Sequence, residues 1–267
     1  MAGSMVYRLP AGELDAPHMA SFRDALARAK QIRDNRGFDF VAGFHGAPGY
    51  YCWHHQINPR TSLQARLFLP WHRAYLWHLE QALQDLVAGV ALPWWDWTRD
   101  RRIPAAYAAE EAGGAPNPLF STHVSLPRTD PPIDRDTQRD PGGNPQARLP
   151  TERQVAALLD EGDWATFNDD LEQMHDEVHV WVGGDMSDII TAAYDPIFYA
   201  HHGMIDRLWS LWQVRHGDGG VPAELLDLPL QPFGKTFRDV LTVQALGYEY
   251  AASATEVPVT PAGAPSG

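Results

Sequence analysis

Histidine is the residue whose placement could do chemistry here: nine of the 12 in the chain fall within residues 45–78 and 175–202. His175 and His179 are four residues apart, so on a helix both imidazoles share one face about a turn apart and can hold one metal ion. The adjacent His201 and His202 open another helical stretch, and because helix neighbours point about 100° apart only one of them can face that ion. The first window offers three donors as well: His45, one of the adjacent His54 and His55, and His72. Neutral imidazole suits copper, zinc, nickel and iron, whereas magnesium or calcium would call for carboxylates, so two all-histidine sites favour copper.

A single His-x-x-x-His is weak support for a metal; two triplets in one chain are strong support. A zinc hydrolase of the His-Glu-x-x-His kind does not fit, because His175-Asp176-Glu177-Val178-His179 puts the glutamate in the wrong place and leaves the first triplet unexplained. His18, His123 and His216 read as solvated surface groups, and His78, six residues after His72, points to a different helix face.

The elements that must position these residues are helical. Apolar spacing predicts a first helix over 16–36, a second over 67–88, and others over 151–160, 164–182 and 195–215. Residues 43–62, with Gly43, Gly46, Pro48, Gly49 and Pro59, read as an irregular loop. Pro93-Trp94-Trp95-Asp96-Trp97 reads as a buried loop anchor. Residues 112–150 are crowded with Pro, Gly, Asp and Arg and read as a long surface excursion with little regular structure. We expect one domain over 1–250 and a disordered tail over 251–267, which is too poor in large apolar groups to pack.

Composition narrows the function further. With 44% hydrophobic and 21% charged residues the chain is that of a globular protein. A net charge of −13 without a Lys/Arg cluster argues against a nucleic-acid partner. No apolar run approaches the roughly 18 residues needed to span a bilayer and no signal-peptide pattern opens the chain, so we expect a soluble protein, cytoplasmic by default. Cys52 is the only cysteine, which excludes an internal disulfide.

With these residues in view, the sequence resembles the tyrosinase and catechol oxidase family, whose dicopper centre is shared with haemocyanins. The resemblance rests on Phe44-His45-Gly46, the Phe68-Leu69-Pro70-Trp71-His72-Arg73 segment, the tryptophan loop, residues 174–186, Asp195-Pro196-Ile197-Phe198-Tyr199-Ala200-His201-His202, Asp206-Arg207-Leu208-Trp209 and Gly247-Tyr248-Glu249-Tyr250. It implies a mainly α fold in which four helices enclose two copper ions among long irregular loops. Carried over, His175, His179 and His202 hold one copper, His45, His72 and His54 the other, with His55 the alternative to His54 and His201 turned elsewhere. The family's usual second ligand on the first copper would fall at Leu63, which cannot ligate. Cys52-Trp53-His54 resembles the Cys-x-His of fungal members, in which the sulfur is joined to the ligand imidazole.

The resemblance further implies oxidation of small phenols by O2. Two neighbouring copper ions can each pass one electron to O2, which a single ion cannot do, giving o-quinones from o-diphenols and an added ortho oxygen on monophenols. A phenol must shed its proton to bind copper. Glu172, one turn before His175, resembles the glutamate that orients a water for that step, and Asp176 stands where many hydroxylating members have Asn. Phe198, Ile189 and Met186 are placed near the substrate mouth, each also an ordinary core residue. Arg73 and Asp206 are expected to form an ion pair behind the ligands. The other readings are a catechol or o-aminophenol oxidase and a haemocyanin-like oxygen carrier, with a metallochaperone admitted as a copper-loading partner.

Overall fold

Two of the helix starts are set by the side chain just before the first helical residue. In the computed structural model, which describes residues 5–14, 16–52, 66–217 and 220–252, Thr151 and Gln154 form a reciprocal capping box. Asp163 likewise accepts from the Thr166 amide at 2.9 Å, fixing the start of the helix that carries His175 and His179.

Among the described residues there are seven α-helices: α1 (Ala16–Ala29), α2 (Phe38–Ala42), α3 (Phe68–Gln84), α4 (Ala105–Ala108), α5 (Glu152–Asp160), α6 (Trp164–Val182) and α7 (Ile197–His216). The expected mainly helical fold is observed. α3, α6 and α7 meet pairwise, α1 lies on α3, and α5 lies across α6 and α7. Trp164, Trp209, Trp212, Tyr75 and Tyr199 are all but completely buried among them. Each such side chain contributes roughly 1.5–3 kcal/mol through its removal from water. Among the described residues no helix is long and apolar enough to cross a membrane.

The first helix ends at Ala29, short of the expected residue 36, because the chain turns back tightly enough that a Cβ at Gly37 would stand 2.1 Å from the Ile32 carbonyl oxygen. Residues 112–150 hold more regular structure than expected. β2 (Glu111–Ala112) pairs with β3 (Ala115–Pro116) across Gly113 and Gly114, and β4 (His123–Leu126) pairs antiparallel with β5 (Ile133–Asp136). In β4 the side chains of Val124 and Leu126 point inward and those of His123 and Ser125 outward, a period-two signal too short to stand out in a Pro-rich segment.

The two ends of the described chain meet. β1 (Val6–Arg8) runs parallel to β8 (Tyr248–Tyr250), pairing Val6 with Tyr248 and Arg8 with Tyr250. A further hairpin joins β6 (Pro229–Leu230) to β7 (Lys235–Thr236). The tryptophan loop is the buried anchor expected of it: Trp94, Trp95 and Trp97 are at most 2% exposed, and Trp95 donates its amide to the Ala200 carbonyl beside the His201-His202 pair.

Candidate metal centre

Helical spacing brings His175 and His179 together on α6, and α7 sets His202 opposite them. All three rings are buried, with Nε2 of His202 3.1 Å from Nε2 of His175 and 3.3 Å from Nε2 of His179. Two of the three outer nitrogens are anchored: Nδ1 of His179 lies 2.6 Å from the Met186 carbonyl oxygen, and Nδ1 of His175 lies 3.0 Å from Oδ1 of Asp176. A hydrogen donated outward from Nδ1 leaves the Nε2 lone pair pointing inward. Lone pairs meeting at such distances repel one another unless a cation or proton sits among them. Burial, then His72 and His175, also holds His202 well below the ordinary histidine pKa, which disfavours protonation as the answer. The donor set therefore fits a metal ion, and neutral imidazole nitrogens suit copper.

The second group lies alongside. His45 follows α2, His72 sits in α3 with Nδ1 2.8 Å from the Phe68 carbonyl oxygen, and donor atoms of His45, Cys52 and His72 all lie within 4.8 Å of one another. Cys52 is fully buried, its Sγ 3.8 Å from Nε2 of His72. His72 and His202 stack at 4.4 Å between ring centroids, so the two groups are immediate neighbours. The loop bearing His45 packs backbone against backbone: a Cβ on Gly46 would stand 2.2 Å from the Ile190 carbonyl oxygen and 2.5 Å from that of Ile189. His54, His55 and Leu63 lie outside the described residues.

Behind the histidines, the expected Arg73–Asp206 pair is present and larger than foreseen. Arg73 donates Nε to Asp206 Oδ1 at 2.5 Å, and Tyr248 and Tyr250 each donate a hydroxyl to Oδ2 at 2.6 Å. Arg8 grips Glu80 with two hydrogen bonds of 2.9 and 3.1 Å, reaches Asp206 Oδ2 at 3.3 Å, and stacks over the Tyr248 ring at 3.6 Å. Two arginines and two carboxylates thus balance in the buried interior, tying β1 and β8 to the helices that carry His72 and His202. Burial alone would push the Asp206 carboxyl up; Arg73, Arg8 and the two tyrosine hydroxyls outweigh it and hold the group below the usual carboxylate range. The Arg8–Glu80 and Arg8–Asp206 pairs leave no mark in the sequence because they join residues 72 and 198 positions apart.

A cavity of about 260 Å³ opens on the histidines, lined by His45, His175, Asp176, His179, Val180, Met186, Ser187, Ile189 and Ala192. Ile189 and Met186 thus stand at this opening. Phe198 is not among its lining side chains. It is fully buried, stacked on His202 at 4.0 Å and edge-on to His45 at 4.8 Å, where it fixes both rings. Glu172 is partly buried on α6, one turn before His175, and also stays out of the cavity lining. His201, expected to turn elsewhere, instead lies flat against His175 at 5.2 Å and within the same 4.8 Å group of donors. It is brought there because the inner side of α7 at this level faces the two rings of α6.

Fold and site together define a helical protein built to hold metal on buried histidines. Residues 35–215 match the family model described as the common central domain of tyrosinase, and the chain belongs to this type-3 copper family. It is 36% identical over 226 residues to a tyrosinase of Streptomyces glaucescens, a match covering 75% of this chain and 81% of that protein. It is 28% identical to an A-type haemocyanin of Enteroctopus dofleini over 89% of this chain, which spans only 22% of that much longer protein. Among solved structures, a functional unit from octopus haemocyanin superposes with a TM-score of 0.75 at 27% identity, covering 92% of this chain and 68% of that one. Both tyrosinases and haemocyanins are thus among its relatives.

Proposed function

We propose that this protein is a copper-dependent phenol oxidase, which uses O2 to oxidise o-diphenols to o-quinones and hydroxylates monophenols to the same products. The carrying observation is the cavity that opens directly on His45, His175 and His179. At about 260 Å³ it lies just under the roughly 300–1,000 Å³ of pockets for drug-sized ligands and suits one small aromatic molecule.

One copper ion would be held by His175, His179 and His202, the other by His45, His72 and His54, with His55 the alternative. Bound there, the pair supplies the redox chemistry that carries two electrons from a phenol to O2. The remaining work belongs to the side chains. Val180, Met186, Ile189 and Ala192 give the cavity apolar walls against which the ring would pack. Asp176 lines the same cavity, and Glu172 stands a turn away on α6; these two carboxylates are proposed to take up the phenol proton, directly or through an oriented water. Phe198 and the outer anchors of the imidazoles hold the donors still, so little is left to reorganise during the reaction.

The test is a quinone absorbance assay on copper-loaded protein, with a monophenol and a catechol separately. Formation of quinone from both is expected. Quinone from the catechol alone would reduce the proposal to a catechol oxidase, and reversible O2 uptake without quinone would replace it with a haemocyanin-like oxygen carrier. A thioether between Cys52 and His54 is proposed as well. It would lower the intact mass by two hydrogens, and an unmodified Cys52 peptide from the copper-loaded protein would exclude it.

A further inference from the structure

The chain has 19 arginines and only two lysines, Lys30 and Lys235, so nearly all its cationic side chains are guanidiniums that stay protonated and do not attack electrophiles. The two amines sit differently. Lys235 lies with Nζ 4.2 Å from the centre of the Trp77 ring. Lys30, just past the end of α1, is partly buried and lines a second cavity of about 690 Å³, which shares no lining residue with the one on the histidines. Its Nζ donates to the carbonyl oxygens of Pro118 at 2.6 Å and Ser121 at 2.7 Å. Asn117 holds that turn in place: buried, it donates Nδ2 to the Ala106 and Ala109 carbonyls and accepts the Leu119 amide on Oδ1. Among the described residues no carboxylate comes within ion-pair distance of Lys30, and the acids around it are each paired elsewhere: Asp39 with Arg33, Asp136 with His123 and Asp195 with Arg139. The Phe38 ring, 5.4 Å from Nζ, is near the outer limit of a cation–π contact and offers little to the charged form. An ammonium here finds two carbonyls and no counter-ion, whereas a neutral amine gives both its hydrogens to those carbonyls and keeps its lone pair. Burial accordingly outweighs the pull of Asp195, Asp39 and Asp136, with Arg139 adding to it, and brings the Lys30 pKa down to about 8.

We propose that Lys30 is a modification site for electrophilic quinones, the amine on which this protein takes up an o-quinone covalently. The source of the quinone rests on the phenol-oxidase reading; the amine does not. The nitrogen lone pair adds to a ring carbon of the quinone and one carbon–nitrogen bond forms. The proton shed by nitrogen and the one displaced from that ring carbon pass to the two quinone oxygens, so the quinone is reduced to a catechol that carries the lysine. No other oxidant or reductant takes part, and the chain gains the mass of one whole quinone. A desolvated lysine amine is the usual form in which this side chain acts as a nucleophile. The cavity falls in the size range of small-ligand sites, and Pro116, Pro118 and Phe120 give it apolar surface beside the amine. The chain's one thiol, Cys52, is fully buried.

The experiment adds one equivalent of a chemically prepared methyl-substituted o-quinone to the copper-loaded protein without oxygen, beside an equal amount of an α-blocked lysine amide as internal reference, and maps the adduct by peptide mass. At a pH of about 8, Lys30 should take up the quinone about tenfold or more faster than the reference, since a free lysine amine is neutral there in fewer than about one molecule in a hundred. The rate at Lys30 should level off above a pH of about 8, while that of the reference keeps rising. Lys30→Arg, which still offers donors to the two carbonyls, should lose this adduct, and Lys235→Arg should keep it. Quinone found on Lys235 or Cys52 with Lys30 unmodified, or a Lys30 rate no faster than the reference, would overturn the proposal. The same mapping after aerobic incubation with methyl catechol separates the two readings: labelling by the prepared quinone but none from the catechol would strike the oxidase and leave Lys30 as the site.

Discussion

The two histidine groups are built on different principles. His175, His179 and His202 project from α6 and α7, and two of the three outer nitrogens are anchored, at a carbonyl and at a carboxylate. Among the described residues of the other group, only His72 stands on a long helix, while His45 and Cys52 lie on a loop whose shape comes from backbone contacts with residues 189–190. Helix periodicity makes a ligand set that a local stretch of sequence can specify. A loop ligand instead inherits its position from whatever the loop packs against, so the second group depends on distant residues.

That contrast can be broken from either side. The largest effect should come from His202→Ala, which removes the nitrogen on which His175 and His179 converge; copper bound at this group should vanish and activity should fall beyond the roughly 10- to 100-fold that loss of an outer-sphere partner costs. Metal analysis beside the quinone assay checks it, and full copper occupancy in the variant would show that His201 can take over the role.

Next is Asp206→Ala, which leaves Arg8 and Arg73 buried without their shared carboxylate and should cost about 3–5 kcal/mol in denaturant unfolding. Because the folded Asp206 carboxyl is held below its ordinary value, its share of stability is present above the unfolded pKa and lost as pH falls through the lowered folded one. The acid side of the stability profile should therefore be shallower in Asp206→Asn than in the parent protein.

Gly46→Ala addresses the loop-built group alone. The added methyl must push the His45 loop away from the Ile189 and Ile190 carbonyls, for a loss of about 1–3 kcal/mol by overpacking. Copper on the α6–α7 group should survive while copper at the His45 side weakens, and equal weakening of both would erase the distinction between them. The smallest effect is expected at Tyr50, an exposed residue in the same loop with φ +53°, in the left-handed region where a side chain costs roughly 1–2 kcal/mol. Tyr50→Gly should relieve part of that strain and raise the thermal midpoint slightly; a lower midpoint would show that the ring contributes more than the strain costs.

Much of this was legible in the chain itself, and unevenly so. The bounds of α6 agree with the expected 164–182, because Asp163 supplies a cap and the glycine pair 183–184 ends the apolar pattern. β4 and β5 were missed, since four-residue strands in a segment full of prolines give too few alternations to see. The resemblance places Phe198 near the substrate mouth, whereas it packs between His45 and His202, because a helix pattern gives a face and not what that face meets.

By itself the sequence determined the helical character, the two histidine sets and the spacing that lets His175 and His179 act together, because those follow from local periodicity and donor chemistry. Tertiary structure alone decided that the two sets stand side by side, that His201 lies against His175, and that Arg8 and Glu80 join Asp206 and the closing tyrosines in one buried network. These are contacts between residues far apart in the chain. Their geometry is set by packing and by the need to pair every buried charge, neither of which leaves a mark at fixed spacing along the chain.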